Sequence, residues 1–194
     1  MSKIVIKGFY FCVKILKQTI MGLQINYQKT KGTPSPQTFI LMWNPAISSY
    51  TMERFEDDLK EMADGWVLDD FDWSVWEWEK ARVGDKFYMI RVGEGKTGVV
   101  MSGEFTSEPY VSEDWAGKGR KVYYMQMDVQ TMIHPDYSPL LTTEELTKMI
   151  PEFEWSKGHS GQLLDSKNAK ILDKLWNEYL KKYDYIFNPR AAKL

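Results

Sequence analysis

KFYMIRVGEGKTGVVMSGEF, residues 86–105, decides the fold class of this 194-residue chain. Two runs rich in aromatic and β-branched residues, 86–92 and 97–105, flank the turn signal VGEGKTG, a pattern that predicts two strands joined by a hairpin loop. KVYYMQMDV, residues 121–129, has the same composition and follows a second turn signal, AGKGRK, so it predicts a third strand. Upstream, FILMWN at 39–44 is a short apolar run bounded by Pro45, which fits a buried strand better than a helix.

Around these strands the period changes. Met52, Phe55, Leu59 and Met62 recur at spacings of three and four, with Glu53 favouring a helix N-terminus and Gly65 ending the run. Thr142 and Glu145 have capping-box spacing, and Pro151 closes the short helix they predict. A last helix, from about Ser166 to Tyr183, is supported by Ile171, Leu172, Leu175, Trp176, Tyr179 and Tyr183 on one face. Strands interleaved with a few helices predict an α+β domain, a small mixed β-barrel or strongly curved sheet flanked by helices. TKGTPSPQT, residues 30–38, reads as a linker. The domain is therefore placed at 37–185, after a basic N-terminal segment, 1–36, and before a tail, 186–194.

Composition narrows the function classes. Cys12 is the single cysteine, so no intrachain disulfide can form, a cysteine-rich metal site is excluded, and a cytoplasmic location is expected. Lysines at 3, 7, 14 and 17 break any apolar run long enough for a membrane span or a signal segment, so no membrane partner is expected. The net charge of -2 hides an uneven layout: the first 52 residues carry six lysines and no acid, whereas residues 53–80 carry eleven acids against three bases. Global attraction to a polyanion is excluded by that balance, and any nucleic-acid contact must be local. The densest positive patch is the GKGRK loop, with Lys118, Arg120 and Lys121.

Catalytic motifs are weak. GHSGQ, residues 158–162, resembles the nucleophile elbow Gly-x-Ser-x-Gly, but Gln162 replaces the second glycine. His159 adjoins Ser160 in sequence, which turns the two side chains apart and leaves His134 as the base candidate. The bland alternative is that Gly158 and Gly161 permit a tight backbone path and Ser160 makes a structural hydrogen bond. Two histidines 25 positions apart match no zinc pattern, and no metal or cofactor is expected. GEGKTG lacks the spacing of a phosphate-binding P-loop. The acids Glu56, Asp57, Asp58 and Glu61 read as the solvated face of the first helix.

The tryptophans are the remaining signal. There are eight, three of them, Trp73, Trp76 and Trp78, inside the acidic stretch DFDWSVWEWEK of residues 70–80, which reads as loop-like. Trp176, on the apolar face of the last helix, has a packing role. Trp73 sits in a polar setting, and an exposed aromatic face suits stacking of a flat ring.

From Phe39 to about Trp176 the order of segments resembles the EVE domain, a member of the PUA-like superfamily related to the YTH readers of methylated adenine. The segments are FILMWNP, a helix, the Trp-Ser pair in DWSVW, VGDKFYMIRVG, TGVVMSGEFTSEPY, KVYYMQMDV and WSKGHSGQLL. The resemblance implies a PUA-like compact mixed β-barrel with peripheral helices and a non-enzymatic role, the binding of a modified, methylated or flipped base of DNA or RNA in an aromatic pocket. It implies Trp43, Trp73 and Trp155 as the aromatic cage, with Asn44, Ser74, Ser102 and Ser160 toward the base. Arg91 or the patch Lys118, Arg120 and Lys121 would meet phosphate. A separate nuclease or ATPase is the partner protein it suggests. Trp43 departs from the small residue usual in the first-strand motif. Two alternatives stand beside this reading: a small nucleoside- or amide-processing enzyme using Ser160, His134 or Arg91, and a protein-interaction module using the acidic helix and the basic N-terminal segment.

Overall fold

The computed structural model describes residues 13–14, 35–68 and 70–184. The expected N-terminal segment 1–36 thus lies outside the described residues, except for Val13, Lys14 and its last two positions, as does the expected tail 186–194. Along the chain run β1 (Val13–Lys14), β2 (Thr38–Trp43), α1 (Met52–Ala63), β3 (Asp72–Ser74), a 3-10 turn (Trp78–Lys80), β4 (Lys86–Arg91), β5 (Gly98–Phe105), β6 (Tyr110–Glu113), β7 (Lys121–Met132), α2 (Thr143–Met149), β8 (Gln162–Leu164) and α3 (Ser166–Lys182).

The strands form one mixed sheet in the order β1-β7-β5-β4-β2-β8, with β3 and β6 both pairing with β7. β2 and β4 lie parallel at its centre and the other pairs are antiparallel. β2 and β4 read as near-continuous apolar runs because both of their faces are covered. The long strand β7 is shared: Tyr124 pairs with Ser74 on one edge and Tyr110 on the other, and further along Met132 pairs with Met101 and Val13. Register shifts at Met89/Ile90 and at Ser102/Gly103 bend the sheet into a half-barrel. Gly103 makes the second bend possible, because a Cβ there would lie 2.0 Å from the carbonyl oxygen of Asp128 and 2.9 Å from the Phe87 ring. The architecture is the expected α+β one, a curled mixed sheet with three helices.

Alternation assigns the two faces. Phe87 and Phe39 both pack against Phe105 on the inner face, while Lys86 and Tyr88 reach Asp173 on α3 at 2.7 and 2.8 Å. Helix α1 begins at the Thr51 cap, whose hydroxyl accepts the Arg54 N–H, and buries Phe55, Leu59 and Met62 at the spacing the sequence shows. Of the acids expected on its solvated face, Glu56, Asp57 and Glu61 are exposed, whereas Asp58 is half-buried and accepts the Tyr50 hydroxyl at 2.6 Å. α2 has the full Thr142/Glu145 capping box. α3 is capped by Asp165 and packs Leu172, Trp176 and Tyr179 inward.

Three strands escape the sequence reading. β3, β6 and β8 are three or four residues long and carry few buried side chains, so no alternation of useful length marks them. The acidic stretch 70–80 is consequently not only loop: it contains β3 and the 3-10 turn.

Candidate functional site

β3 and the segment after it wall a cleft of about 1080 Å³, closed by the end of β2, the 47–50 loop, the start of β7 and the 157–160 loop. The sequence builds this wall by crossing two backbones. Trp76 N–H donates to Ser160 O at 2.9 Å, Glu77 N–H to Gly161 O at 3.0 Å, and Gly161 N–H to Ile40 O at 2.8 Å. Gly161 has φ +82°, and a Cβ would meet Val75 Cα at 2.4 Å. Only a glycine lets the two segments touch there.

Trp73 is the side chain this crossing holds. Its Nε1–H donates to Ser160 Oγ at 2.8 Å, the same oxygen that accepts Met42 N–H at 3.0 Å. Both lone pairs of Ser160 are therefore taken and its own hydrogen remains as a donor. Phe71 lies parallel to Trp73 at 6.1 Å, and Tyr50 meets it edge-on at 6.0 Å. The indole is half-buried, backed by rings and lines the cleft. Tyr50 is itself fixed by a 2.6 Å bond from its hydroxyl to Asp58, and burial together with that carboxylate pushes its phenol far above the ordinary tyrosine value.

Further aromatic faces ring the opening. Trp78 stacks on Tyr123 at 3.6 Å, and Trp76, 59% exposed, stacks on His159 at 3.8 Å with 8° between planes. Trp115, 46% exposed, sits in the β6–β7 loop, where its backbone N–H donates to the Tyr124 hydroxyl. Burial opposes charge on Glu77, yet Lys80 and the Leu163 N–H, 2.6 Å away, hold its carboxyl below the ordinary glutamate value. Asp114 is held below the ordinary aspartate value by the Ala116 N–H first and by Arg120 as well, against the cost of burial.

The structure brings Trp73, Ser74, Asn44, Ser160, Arg120 and Lys121 to one cleft. Lys118 is exposed in the adjoining loop but does not line it. Trp43, Trp155, Ser102 and Arg91 lie elsewhere. Trp43 is fully buried, stacked on Phe55 at 4.8 Å, its Nε1–H donating to Tyr50 O at 2.7 Å. Trp155 is 1% exposed, with its Nε1–H on Ile150 O. Neither can be a cage wall in this arrangement, because each indole is enclosed by core and its donor is spent. Ser102 pairs with Tyr88 across β4–β5 and so shares the α3-facing side, where it lines a separate cavity of about 880 Å³ with Lys86 and Asp173. Arg91 is buried under the 93–97 loop, donating from Nη1 to Lys96 O, and its buried Nε has no hydrogen-bond partner among the described residues.

Nothing in the geometry supports a serine nucleophile. Ser160 accepts two N–H groups, His159 is stacked on Trp76, and His134 is engaged by Glu56 at 3.1 Å and by Asp136 N–H at 3.2 Å. The bland reading of GHSGQ, a glycine-permitted backbone path with a structural serine, describes what is found at Gly161 and Ser160. Among the described residues no group of three or more His, Cys, Asp or Glu is placed to hold a metal, and no helix is long and apolar enough to cross a membrane.

Sequence features that locate the cleft beyond those already named are few. Tyr50, Phe71 and Tyr123 were not distinguishable from core or loop aromatics, since only the β3–β7 pairing and the 157–160 crossing bring them together.

No protein-family model matches the chain, and no curated protein matches it. The EVE resemblance therefore rests on the order of its segments. Among solved structures, similarity extends to a hypothetical protein from Leishmania major, at 14% identity over 74% of this chain and 96% of that one, with a TM-score of 0.47. It extends also to the MmI1 YTH domain, at 12% identity over 75% and 98% of the two chains with a TM-score of 0.44. A third is the YTH domain of Zygosaccharomyces rouxii MRB1, solved in complex with N6-methyladenosine RNA, at 15% identity over 73% and 86% with a TM-score of 0.38. At such distances what this cleft can bind is decided by its own residues.

Proposed function

We propose that this chain is a nucleic-acid-binding module without catalytic activity of its own, which takes one unpaired or flipped, modified base into the Trp73 cleft. The observation that carries the reading is the clamped indole of Trp73, half-buried, with its N–H engaged by Ser160 and a cleft beside it. A pre-positioned ring loses little freedom on binding, so stacking against it contributes about 1–3 kcal/mol per base. The Ser160 O–H, the Ser74 hydroxyl and the Asn44 amide supply donors and acceptors of the kind that read a base edge. Arg120, whose Nε–H is paired with Asp114, and Lys121 at the rim would meet phosphate, with Lys118 in the same loop as a third charge.

The EVE reading belongs to the same proposal, as do a cytoplasmic location and a separate nuclease or ATPase that would act on what the module marks. Trp43 and Trp155 drop out of the enclosure, and Tyr50, Phe71, Trp78 and Tyr123 take their place around Trp73.

The test is a calorimetric screen of oligonucleotides, DNA and RNA, each with a central base either unmodified or methylated. At least one modified member should bind more tightly than its unmodified counterpart, and Trp73→Ala should weaken it by about tenfold or more. Equal affinity for every modified and unmodified pair would overturn modified-base recognition.

A further inference from the structure

Trp76, at the mouth of the cleft, is a tryptophan to which the base-binding reading gives no part. It is 59% exposed, yet it is not loose: its ring lies flat on His159 at 3.8 Å, and its backbone N–H is held by Ser160 O. Ser160 is also the residue that grips Trp73. Buried Val75 is pinned between the two walls by Tyr123 O at 2.9 Å, so Trp73 and Trp76 are fixed relative to each other. Both rings line the same cleft, and the Cα atoms that carry them, three residues apart, are separated by at most about 10 Å, a spacing on the scale of adjacent nucleotides of one strand when one base turns into the cleft.

We propose that the Trp76–His159 stack is a second base platform, so that the ligand is a single-stranded stretch of at least two nucleotides, one base against Trp73 and its neighbour laid on the stack. The inference rests on the base-binding reading of the cleft. A planar aromatic pair with an open outer face offers what any nucleobase can use, because every base has a π-face, and it offers nothing to a base that stays paired and stacked inside a duplex. Lys157 lines the same cleft; its ion pair with exposed Glu154, at 3.8 Å, is long and solvent-facing, so the ammonium can still turn to the connecting phosphate. Of the acids that line the cleft, Glu77 is engaged by Lys80 and the Leu163 N–H, Asp72 by the Tyr110 hydroxyl and Asp114 by Arg120, which leaves exposed Asp70 and Glu79. Trp115 lies across β7 from this platform, since β6 and β3 occupy opposite edges of that strand.

The experiment compares mononucleotides with single-stranded trinucleotides of the same central base, as RNA and as DNA, by calorimetry on the whole chain. Methylated and unmodified adenine and cytosine serve as central bases. For the central base that binds best, the trinucleotide should bind about tenfold or more tightly than the mononucleotide. Trp76→Ala should abolish that gain, the trinucleotide then binding the variant no more tightly than the mononucleotide does, while Trp76→Phe retains most of it. The gain should persist at raised salt, where a gain due to added phosphates would fall away. A trinucleotide advantage that survives Trp76→Ala, or no advantage at all beside measurable mononucleotide binding, overturns the platform and leaves the cleft reading standing. Failure of every mononucleotide and trinucleotide to bind removes both. RNA and DNA arms that differ identify which sugar the strand carries.

Discussion

Trp43 and Trp73 are two indoles joined through one tyrosine, and they do opposite things. Tyr50 touches both, at 5.6 Å from Trp43 and 6.0 Å from Trp73. Each indole N–H is satisfied, but Trp43 gives its hydrogen to a backbone carbonyl within the core and Trp73 gives its own to a serine across a chain crossing. Trp43 has no exposed surface, whereas Trp73 opens on a cleft. Satisfying the donor is thus common to packing and to binding. What separates the two roles is whether protein fills the space over the ring.

The largest effect that could break this comparison is at Trp43. Trp43→Ala should cost about 3–5 kcal/mol of folding stability, the range for emptying a buried aromatic site, and lower the denaturation midpoint accordingly. If chemical denaturation registers a loss no greater than that of Trp73→Ala, the core assignment of Trp43 is wrong. Gly161→Ala comes next. Its backbone conformation adds strain of about 1–3 kcal/mol, and the new Cβ collides with backbone rather than with a flexible side chain. Stability and ligand binding should fall together in this variant, measured by thermal melts and by the oligonucleotide screen, because the crossing that Gly161 permits positions Ser160.

Trp73 and Ser160 sharpen the comparison rather than break it. Trp73→Ala should cost about 1–2 kcal/mol of stability, consistent with a half-buried ring, while removing about tenfold or more in binding. Ser160→Ala removes one oxygen from two N–H groups and should cost about 1–2 kcal/mol, with binding weakened because the indole is freed to move. Trp73→Ala with a stability loss as large as that of Trp43→Ala would make it a core residue.

The strands 38–43, 86–91, 98–105 and the helices were legible because burial on defined faces imposes a period on the sequence, and the Thr142/Glu145 capping box marks where α2 begins. Trp73 and Ser74 stood out for their setting and by resemblance. Trp43 and Trp155 were misplaced toward a cage for a physical reason: composition shows that an aromatic is present, not what covers it. Ser102 shows the same limit one level down, since its face depends on pairing with Tyr88 across a bulged ladder. The walls formed by Tyr50, Phe71 and Tyr123 depend on contacts between distant segments, and no local pattern encodes those.

The smallest effect expected lies at Glu77, where the cleft wall is tied to β8. Its carboxylate accepts the Leu163 N–H and pairs with Lys80, which hold it ionised below its ordinary value even though burial works the other way. A carboxyl whose folded value is depressed stabilises the fold above its unfolded value, and that contribution is lost as pH falls through the folded one. Acidification from about pH 5 downward should therefore loosen the tie between the Trp78–Lys80 turn and β8. Glu77→Gln keeps an oxygen for the Leu163 N–H but loses the charge, so it should lower stability slightly near neutral pH and flatten the decline on the acid side. Stability measured by urea denaturation across pH 3 to 7 separates the cases. If the two proteins lose stability in parallel as pH falls, Glu77 carries none of the acid sensitivity, and the wall of the cleft is held without it, by the β3–β7 pairing and the bonds to Ser160 and Gly161.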